Sequence, residues 1–329
     1  MDKIDNFDLK LLQELENDAR QSLSEIAKKL RSSEQVISYR IKSLEKKGVI
    51  GGYYTILDLT KLGYTSYRTL IRLTNINEEK HREIINFLLK HPNVLWLVDC
   101  GGRWDLLINF TSKNIIQYES ILNNLRKRFP AQIQNYDILT IIQAVYFGRD
   151  YLNNNARDKT HYPSFGKENY DTANLDEIDL EILNFLSETA KISSVEIADK
   201  LKVSPNTVIL RIKDLVKRQI IQGFKPLLHL ENIGYSGYKA LVKFQNITEE
   251  KENAIVSYLK ANIQVVGMIK LVGLWDFEFE FEVKDKEQML KITRDFRDKF
   301  SVIIKDFEVI PLFKEYKYNF FPKDLKIAK

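Results

Sequence analysis

Two stretches of this 329-residue chain gather cations and hydrogen-bonding side chains onto short amphipathic segments. In 34–47, Arg40, Lys42, Lys46 and Lys47 stand against Glu34 and Glu45; in 205–218, Arg211, Lys213, Lys217 and Arg218 stand against Asp214. The chemistry such sets perform is the reading of double-stranded DNA, in which cations neutralise phosphates and amides or hydroxyls meet base edges. On that reading Arg40, Lys42, Lys46, Arg211, Lys213 and Lys217 contact phosphate, while Gln35, Ser38, Tyr39, Asn206 and Thr207 read bases, with Ser33 and Ser204 at the segment starts. The plainer alternative is a three-helix bundle whose lysines are merely solvated. The overall net charge of +5 is compatible with either; the local excess favours DNA.

Positioning these side chains requires helices with defined starts. Asp8, Leu9, Leu11, Leu12 and Leu15 have helical spacing, and Ser22-x-x-Glu25 is a capping box that starts a second helix over 23–30. A third helix runs from the turn at 31–33 to about Lys47, buries Ile37, Ile41 and Leu44, and stops at Gly48. The plan is repeated further on, with a box at Ser193-x-x-Glu196 and a third helix opened by Ser204-Pro205. Residues 4–145 recur at 175–316 without a gap, and 20 of 50 positions agree between 4–53 and 175–224. That spacing is far beyond solenoid periods, so the chain is a duplicated pair.

After each third helix a short strand-like run, 49–53 or 220–224, suits a wing or hinge. The pattern then predicts strands at 67–73, 94–100, 105–110 and 138–145 and helices at 78–90 and 115–129, the βαββαβ order of a ferredoxin-like unit. Phe277, Phe279 and Phe281 alternating with Glu278, Glu280 and Glu282 mark a sheet with one buried face. The fold class is therefore α+β, two tandem copies of a winged helix-turn-helix followed by a ferredoxin-like domain. The expected divisions are 1–57, 58–150, a linker over 151–173 with Asn153-Asn154-Asn155, Pro163 and Gly166, then 174–228 and 229–329.

Composition excludes several classes. One cysteine, Cys100, rules out an intramolecular disulfide framework and reads as a buried small hydrophobe. His81, His91, His161 and His229 lack metal-ligand spacing, and there is no phosphate-binding glycine loop or nucleophile elbow. No metal and no cofactor is expected. A charged N-terminus and the lack of a membrane-length apolar run give a cytoplasmic expectation without membrane partners.

These residues together resemble the leucine-responsive regulator/AsnC (Lrp/AsnC) family of transcription factors. The resemblance rests on Asp5-x-x-Asp8-x-x-Leu11-Leu12, Ala19-Arg20-x-Ser22, Glu25-Ile26-Ala27-x-x-Leu30, Arg40-Ile41-x-x-Leu44-Glu45-x-x-Gly48-Val49-Ile50-x-Gly52-Tyr53 and Gly102-x-Trp104-Asp105. The second copy departs at Lys191, Val216 and Gln219, where the first has Arg20, Glu45 and Gly48. What the resemblance implies is a transcriptional regulator, not an enzyme, with a small-molecule effector such as an amino acid held near the loop joining the second and third strands. The matching positions are Gly101, Gly102, Trp104 and Asp105, and Gly273, Trp275 and Asp276. Read without the family, those glycines supply turn geometry and the tryptophans fill core. The resemblance also implies that the two effector sheets pair by their faces, making the chain a pseudo-dimer that leaves room for further self-association. Strand parity then brings Arg68 and Arg72 to the glutamates of the other copy, against the alternative that Lys239 and Lys243 take those glutamates locally. Two other functions fit the architecture. A siroheme-decarboxylase-like enzyme should gather His and Arg around the strand pair, where only Arg103 stands; a sensor or co-regulator would lack DNA binding.

Overall fold

The computed structural model describes residues 4–153, 162–166, 172–323 and 325. In the first copy, helices α1 (Asn6–Asn17), α2 (Leu23–Leu30) and α3 (Glu34–Lys46) lead into β1 (Ile50–Leu57), β2 (Thr65–Leu73), α4 (Glu78–Lys90), β3 (Val94–Cys100), β4 (Leu106–Ser112), α5 (Ile115–Arg128) and β5 (Ile133–Tyr146). A two-residue strand, β6 (Ser164–Phe165), pairs with β5. The second copy repeats the order as α6 (Glu177–Glu188), α7 (Ser194–Leu201), α8 (Pro205–Lys217), β7 (Ile221–Leu228), β8 (Ser236–Phe244), α9 (Glu249–Ala261), β9 (Val265–Val272), β10 (Phe277–Val283), α10 (Lys286–Lys299) and β11 (Ile304–Tyr318). No described helix is long and apolar enough to cross a membrane. Much of the linker, including His161, lies outside the described residues.

Local chemistry fixes the helix starts. Reciprocal capping boxes form at Asp5/Asp8, Ser22/Glu25, Asp176/Asp179 and Ser193/Glu196, each satisfying orphan amides of the first turn. Gly48 ends α3 with φ +69°, whereas Gln219 holds the same left-handed position with φ 57° in the second copy. A side chain there costs on the order of 1–2 kcal/mol, and the fold retains it.

The run expected as a wing or hinge is a strand that joins the two copies. β1 pairs antiparallel with β7 of the other copy, from Ile50 opposite Leu228 to Leu57 opposite Ile221. Each α1–α2 corner then docks across the chain: the Ala19 amide donates to the Phe224 carbonyl, and the Ala190 amide to the Tyr53 carbonyl. Arg20 donates to the carbonyls of Ala190 and Ile192, at 2.5 and 2.8 Å.

The ferredoxin-like sheets do more than meet by their faces. Their edges also hydrogen-bond, β3 to β11 and β5 to β9, so that β5, β2, β4, β3, β11, β8, β10 and β9 close into one antiparallel ring. Closure removes the open edges that a four-stranded sheet would expose. Helices α4 and α5 cover the outside of the first half over Ile84, Leu88, Tyr118 and Leu125; α9 and α10 cover Phe277, Phe279 and Phe281 on the second. Inside, Leu70, Val98, Leu107, Leu139, Leu241 and Ile310 belong to one apolar cluster. Burying each such side chain contributes about 1.5–3 kcal/mol.

Towards the helix-turn-helix end the interior becomes polar. Buried Arg68 meets Glu278 at 2.7 Å, as the charge pattern anticipated, and Lys239 also takes Glu278 at 2.9 Å and Glu280 at 2.7 Å. Each reading therefore holds for one of its two cations, since Lys243 pairs with Asp276 at 2.6 Å and reaches none of the glutamates. Arg72 does not join them; it donates instead to the carbonyls of Gly102 and Arg103.

A second buried ion cluster joins α1 to this ring. Arg149 pairs with Glu16 of α1 and, at 2.9 Å, with Glu282 of β10, while Lys225 of β7 takes Glu16 at 3.0 Å. The Tyr151 hydroxyl closes on Glu282. Burial opposes ionisation of Glu16, but Lys225 and Arg149 outweigh it and hold that carboxyl below its usual value. Burial prevails at Glu282, whose value is raised despite Arg149. Replacing Arg149 by Met leaves Glu282 without its cation, so urea unfolding should show a loss of about 3–5 kcal/mol. Arg149→Met with Glu282→Leu should recover most of it; equal stability of the two variants would mean that the cluster is not what secures α1.

Candidate nucleic-acid interface and effector hairpins

The outer faces of α3 and α8 carry the side chains expected to meet DNA. Gln35, Tyr39, Lys42 and Lys46 are exposed on α3, with Ser38 half-buried. On α8, Asn206, Lys213 and Lys217 are exposed, and Ser204 and Thr207 share a hydroxyl contact of 2.8 Å at the helix start. Ser33 and Ser204 act as N-caps, accepting from the amides of Val36 and Thr207. Lys42, Lys46, Lys213 and Lys217 have no ion-pair partner among the described residues, which leaves their charge free for phosphate.

The two arginines differ from that expectation. Arg40 pairs with Asp5 at 2.7 Å and Asp8 at 3.1 Å, and Arg211 with Asp176 and Asp179 at the same distances. Each bolts the third helix to the capped start of the first, so Arg40 and Arg211 are withdrawn as phosphate contacts. The Asp5 carboxyl is held below its usual value first by the Asp8 amide and then by Arg40. At Asp176 burial works against ionisation, and the Asp179 amide and Arg211 overcome it. Both carboxylates thus contribute stability above the usual carboxylate range, lost as pH falls through their lowered values.

The copies present different surfaces at matched positions. Where α3 offers Ser38 and Tyr39, the latter 72% exposed, α8 offers Ile209 and Leu210, at 40% and 57%. Apolar side chains in solvent on a helix already carrying Lys213 and Lys217 suit contact with thymine methyls.

At the hairpins, the residues assigned to an effector are engaged in structure. Asp105 accepts from the Leu73 amide at 2.7 Å; Asp276 accepts from the Phe244 amide at 2.8 Å and pairs with Lys243 at 2.6 Å. Trp104 and Trp275 are core, 1% and 2% exposed. A Cβ on Gly101 would stand 2.7 Å from Phe313, and one on Gly273 would stand 2.8 Å from Leu139. These two glycines let the other copy's strand approach at the ring's seams. Gly102, at φ +90° with open space around it, supplies the turn. The hairpins therefore read as closures of the ring, with one oxygen of Asp105 on a backbone amide and Asp276 shared between an amide and Lys243.

The other candidates stay structural. His81 Nε2 lies 3.0 Å from Asp99, whose other oxygen accepts from the Tyr316 hydroxyl at 2.6 Å. Burial pushes the Cys100 thiol up, with Asp105 and Asp99 adding to the effect. Among the described residues no group of three His, Cys, Asp or Glu could hold a metal ion. Sequence reasoning missed Trp96, Glu16, Arg149 and Lys225, since charges deep inside a barrel look like solvated ones until the opposing copy is placed.

Comparison with known proteins agrees with this architecture. A model of winged helix-turn-helix DNA-binding domains matches residues 4–50 and 175–222. A helix-turn-helix-type transcriptional regulator of Pyrococcus furiosus is 38% identical over 106 residues, covering 32% of this chain and 70% of that protein. The regulator FL11 of Pyrococcus horikoshii is 28% identical over 120 residues, 36% of this chain and 78% of that protein. In structure, the siroheme decarboxylase NirDL is similar over 97% of this chain and 94% of its own, at TM-score 0.59 and 15% identity, a likeness of fold. Fold and interface define a tandem helix-turn-helix protein with a closed ferredoxin-like pair. The chain belongs to the helix-turn-helix-type transcriptional regulators.

Separating clamp from contact is direct. Arg40→Ala should lower the melting temperature and leave the slope of log affinity against log salt unchanged. Lys42→Ala should flatten that slope by about 0.9 and spare the melting temperature, because one phosphate contact is lost. Opposite assignments in a salt titration with thermal melts would reverse the roles given to the two residues.

Proposed function

We propose that this chain is a transcriptional regulator that binds double-stranded DNA through α3 and α8 and answers to a small metabolite. The observation that carries the reading is the pair of cap-started third helices whose lysines Lys42, Lys46, Lys213 and Lys217 face solvent without ion-pair partners among the described residues. One chain supplies both reading heads, since β1 pairs with β7 and the two effector sheets share one ring. The base-reading set is Gln35, Ser38 and Tyr39 on one side and Asn206, Thr207, Ile209 and Leu210 on the other.

The enzyme alternative has less in its favour. The ring encloses a cavity of about 70 Å³ that no histidine lines. Sites for drug-sized ligands occupy roughly 300–1,000 Å³, so the ring interior has no room for a tetrapyrrole.

Because the two heads differ in chemistry, the operator should too. Selection from random DNA should return two unequal half-sites one helical turn, or a multiple of it, apart. Recovery of a perfect palindrome would contradict the assignment of Ile209 and Leu210 to base contact, and failure to enrich any sequence would remove sequence-specific recognition.

A further inference from the structure

Residues 162–166 of the linker occupy a seat on the outside of the ring. β6 lies along β5 past the end of β2, with Phe165 opposite Ala144 and Ser164 opposite Val145. The Tyr146 amide donates to the Pro163 carbonyl at 2.9 Å, and the Ser164 amide to the Gln222 side chain at 3.4 Å. Tyr162 packs edge-on against Phe147 at 5.4 Å between ring centroids, with the ammonium group of Lys260 4.9 Å from its own. A Cβ on Gly223 would stand 3.5 Å from Pro163. An extended segment is thus held by a strand edge, by β7 and by the end of α9, the mode in which a peptide adds to a sheet.

The duplication builds this seat a second time. In the register that sets 4–145 on 175–316, Gln222, Gly223, Val145, Tyr146, Phe147 and Lys260 correspond to Gly51, Gly52, Tyr316, Lys317, Tyr318 and Leu89. All six of the latter line one open cleft of about 480 Å³. Gly52, the counterpart of Gly223, has nothing within 4 Å of where a Cβ would point. β8 leaves β11 at Pro311, and among the described residues no strand takes that edge over 312–318, where β3 holds the opposite one. Of the two seats, the described residues fill one.

The seats differ in charge. Ala261, Tyr146 and Leu152 stand beside the filled one where the open cleft has Lys90, Lys317 and Lys323. Among the described residues Glu188 is the one carboxylate on the cleft wall, and it lies 3.9 Å from Lys323. Lys317 donates to the carbonyls of Leu89 and His91, both at 3.3 Å, and burial, with Lys323 nearby, lowers its pKa to about 8. Three amines against one carboxylate attract an anionic chain and disfavour a basic one such as Lys326-Ile327-Ala328-Lys329.

We propose that the cleft between β1, α6 and the end of β11 docks an acidic peptide segment of a partner protein, added in extended form to the edge of β11 as 162–166 is added to β5. Lys90 and Lys323 meet its carboxylates, and the space over Gly52 takes a bulky residue where Pro163 sits in the filled seat. Ser187 and Glu188 at the end of α6 form one wall, so the docked segment packs against the second reading head.

Fluorescence anisotropy on the full chain with three labelled heptapeptides tests it. The first is Glu-Tyr-Pro-Glu-Phe-Gly-Glu, the seated segment with carboxylates added; the others carry Gln or Lys in place of each Glu. The acidic peptide should bind once per chain, the glutamine form about tenfold more weakly, and the lysine form more weakly still. Lys90→Glu with Lys323→Glu, both at exposed positions, should weaken the acidic peptide by about tenfold or more and admit the lysine form. Reductive methylation read by mass spectrometry locates the contact in the unaltered chain: bound peptide should shield Lys90 and Lys323 and leave Lys42 and Lys213 reactive. No binding of the acidic peptide, equal binding of all three, or shielding of Lys42 and Lys213 instead would overturn the proposal. A random-sequence DNA duplex that shields Lys90 and Lys323 as well as the peptide does would make the surface a nucleic-acid contact and overturn it too. Removal of 324–329 should leave peptide affinity unchanged, and a tenfold gain on removal would make the chain's own end the occupant.

Discussion

Closing two four-stranded sheets into one ring imposes the condition on which the other features depend. Every inward side chain of one copy must be complemented by the other, because no solvent is left to do it. Apolar layers meet that condition by packing, Leu70 and Leu107 against Leu241 and Ile310 in one cluster. Charge can meet it only in pairs, and Arg68, Glu278, Lys239 and Glu280 do so across the seam and along the strand together. Such groups are expensive to desolvate and discriminate strongly between partners, so they fix which sheet faces which more than they raise stability.

The same condition is met differently at the two places where a helix-turn-helix unit sits on the ring. Under α1, Glu16, Lys225 and Arg149 make an ionic anchor. The positions that correspond under α6 are Ser187, Tyr54 and Phe320, and there Tyr54 and Phe320 stack at 6.0 Å with Tyr318 beside them. Thr55 and Asn319 add hydrogen bonds to the carbonyls of Leu186 and Ser187. One reading head is held by charge and the other by aromatic packing, so a change of pH acts on them unequally.

Much of this was legible from the chain alone because its signals are local. Capping boxes at Ser22 and Ser193, the alternation at 277–283 and the gapless repeat announce elements and order without reference to anything distant. The Arg68–Glu278 contact was also legible, since strand parity survives whatever the partner is. What escaped depends on the other copy. Nothing near 49–53 says that β1 will pair with β7 instead of turning back, and nothing near Gly101 says that Phe313 will lie over it. Arg40 misled for a related reason: a cation on a recognition helix looks free until the start of α1 is brought beside it.

The covalent join between copies has a consequence for gene control. Two separate subunits part on dilution, and a regulator built from them loses its paired reading heads when few molecules are present. A tether of modest length keeps the second half at an effective concentration on the order of millimolar, whatever the number of chains in the cell. The ring, with β3 hydrogen-bonded to β11 and β5 to β9, is therefore formed once per polypeptide and at any dose. Low copy number costs this architecture nothing in assembly, and no subunit exchange can dilute one half with a foreign partner.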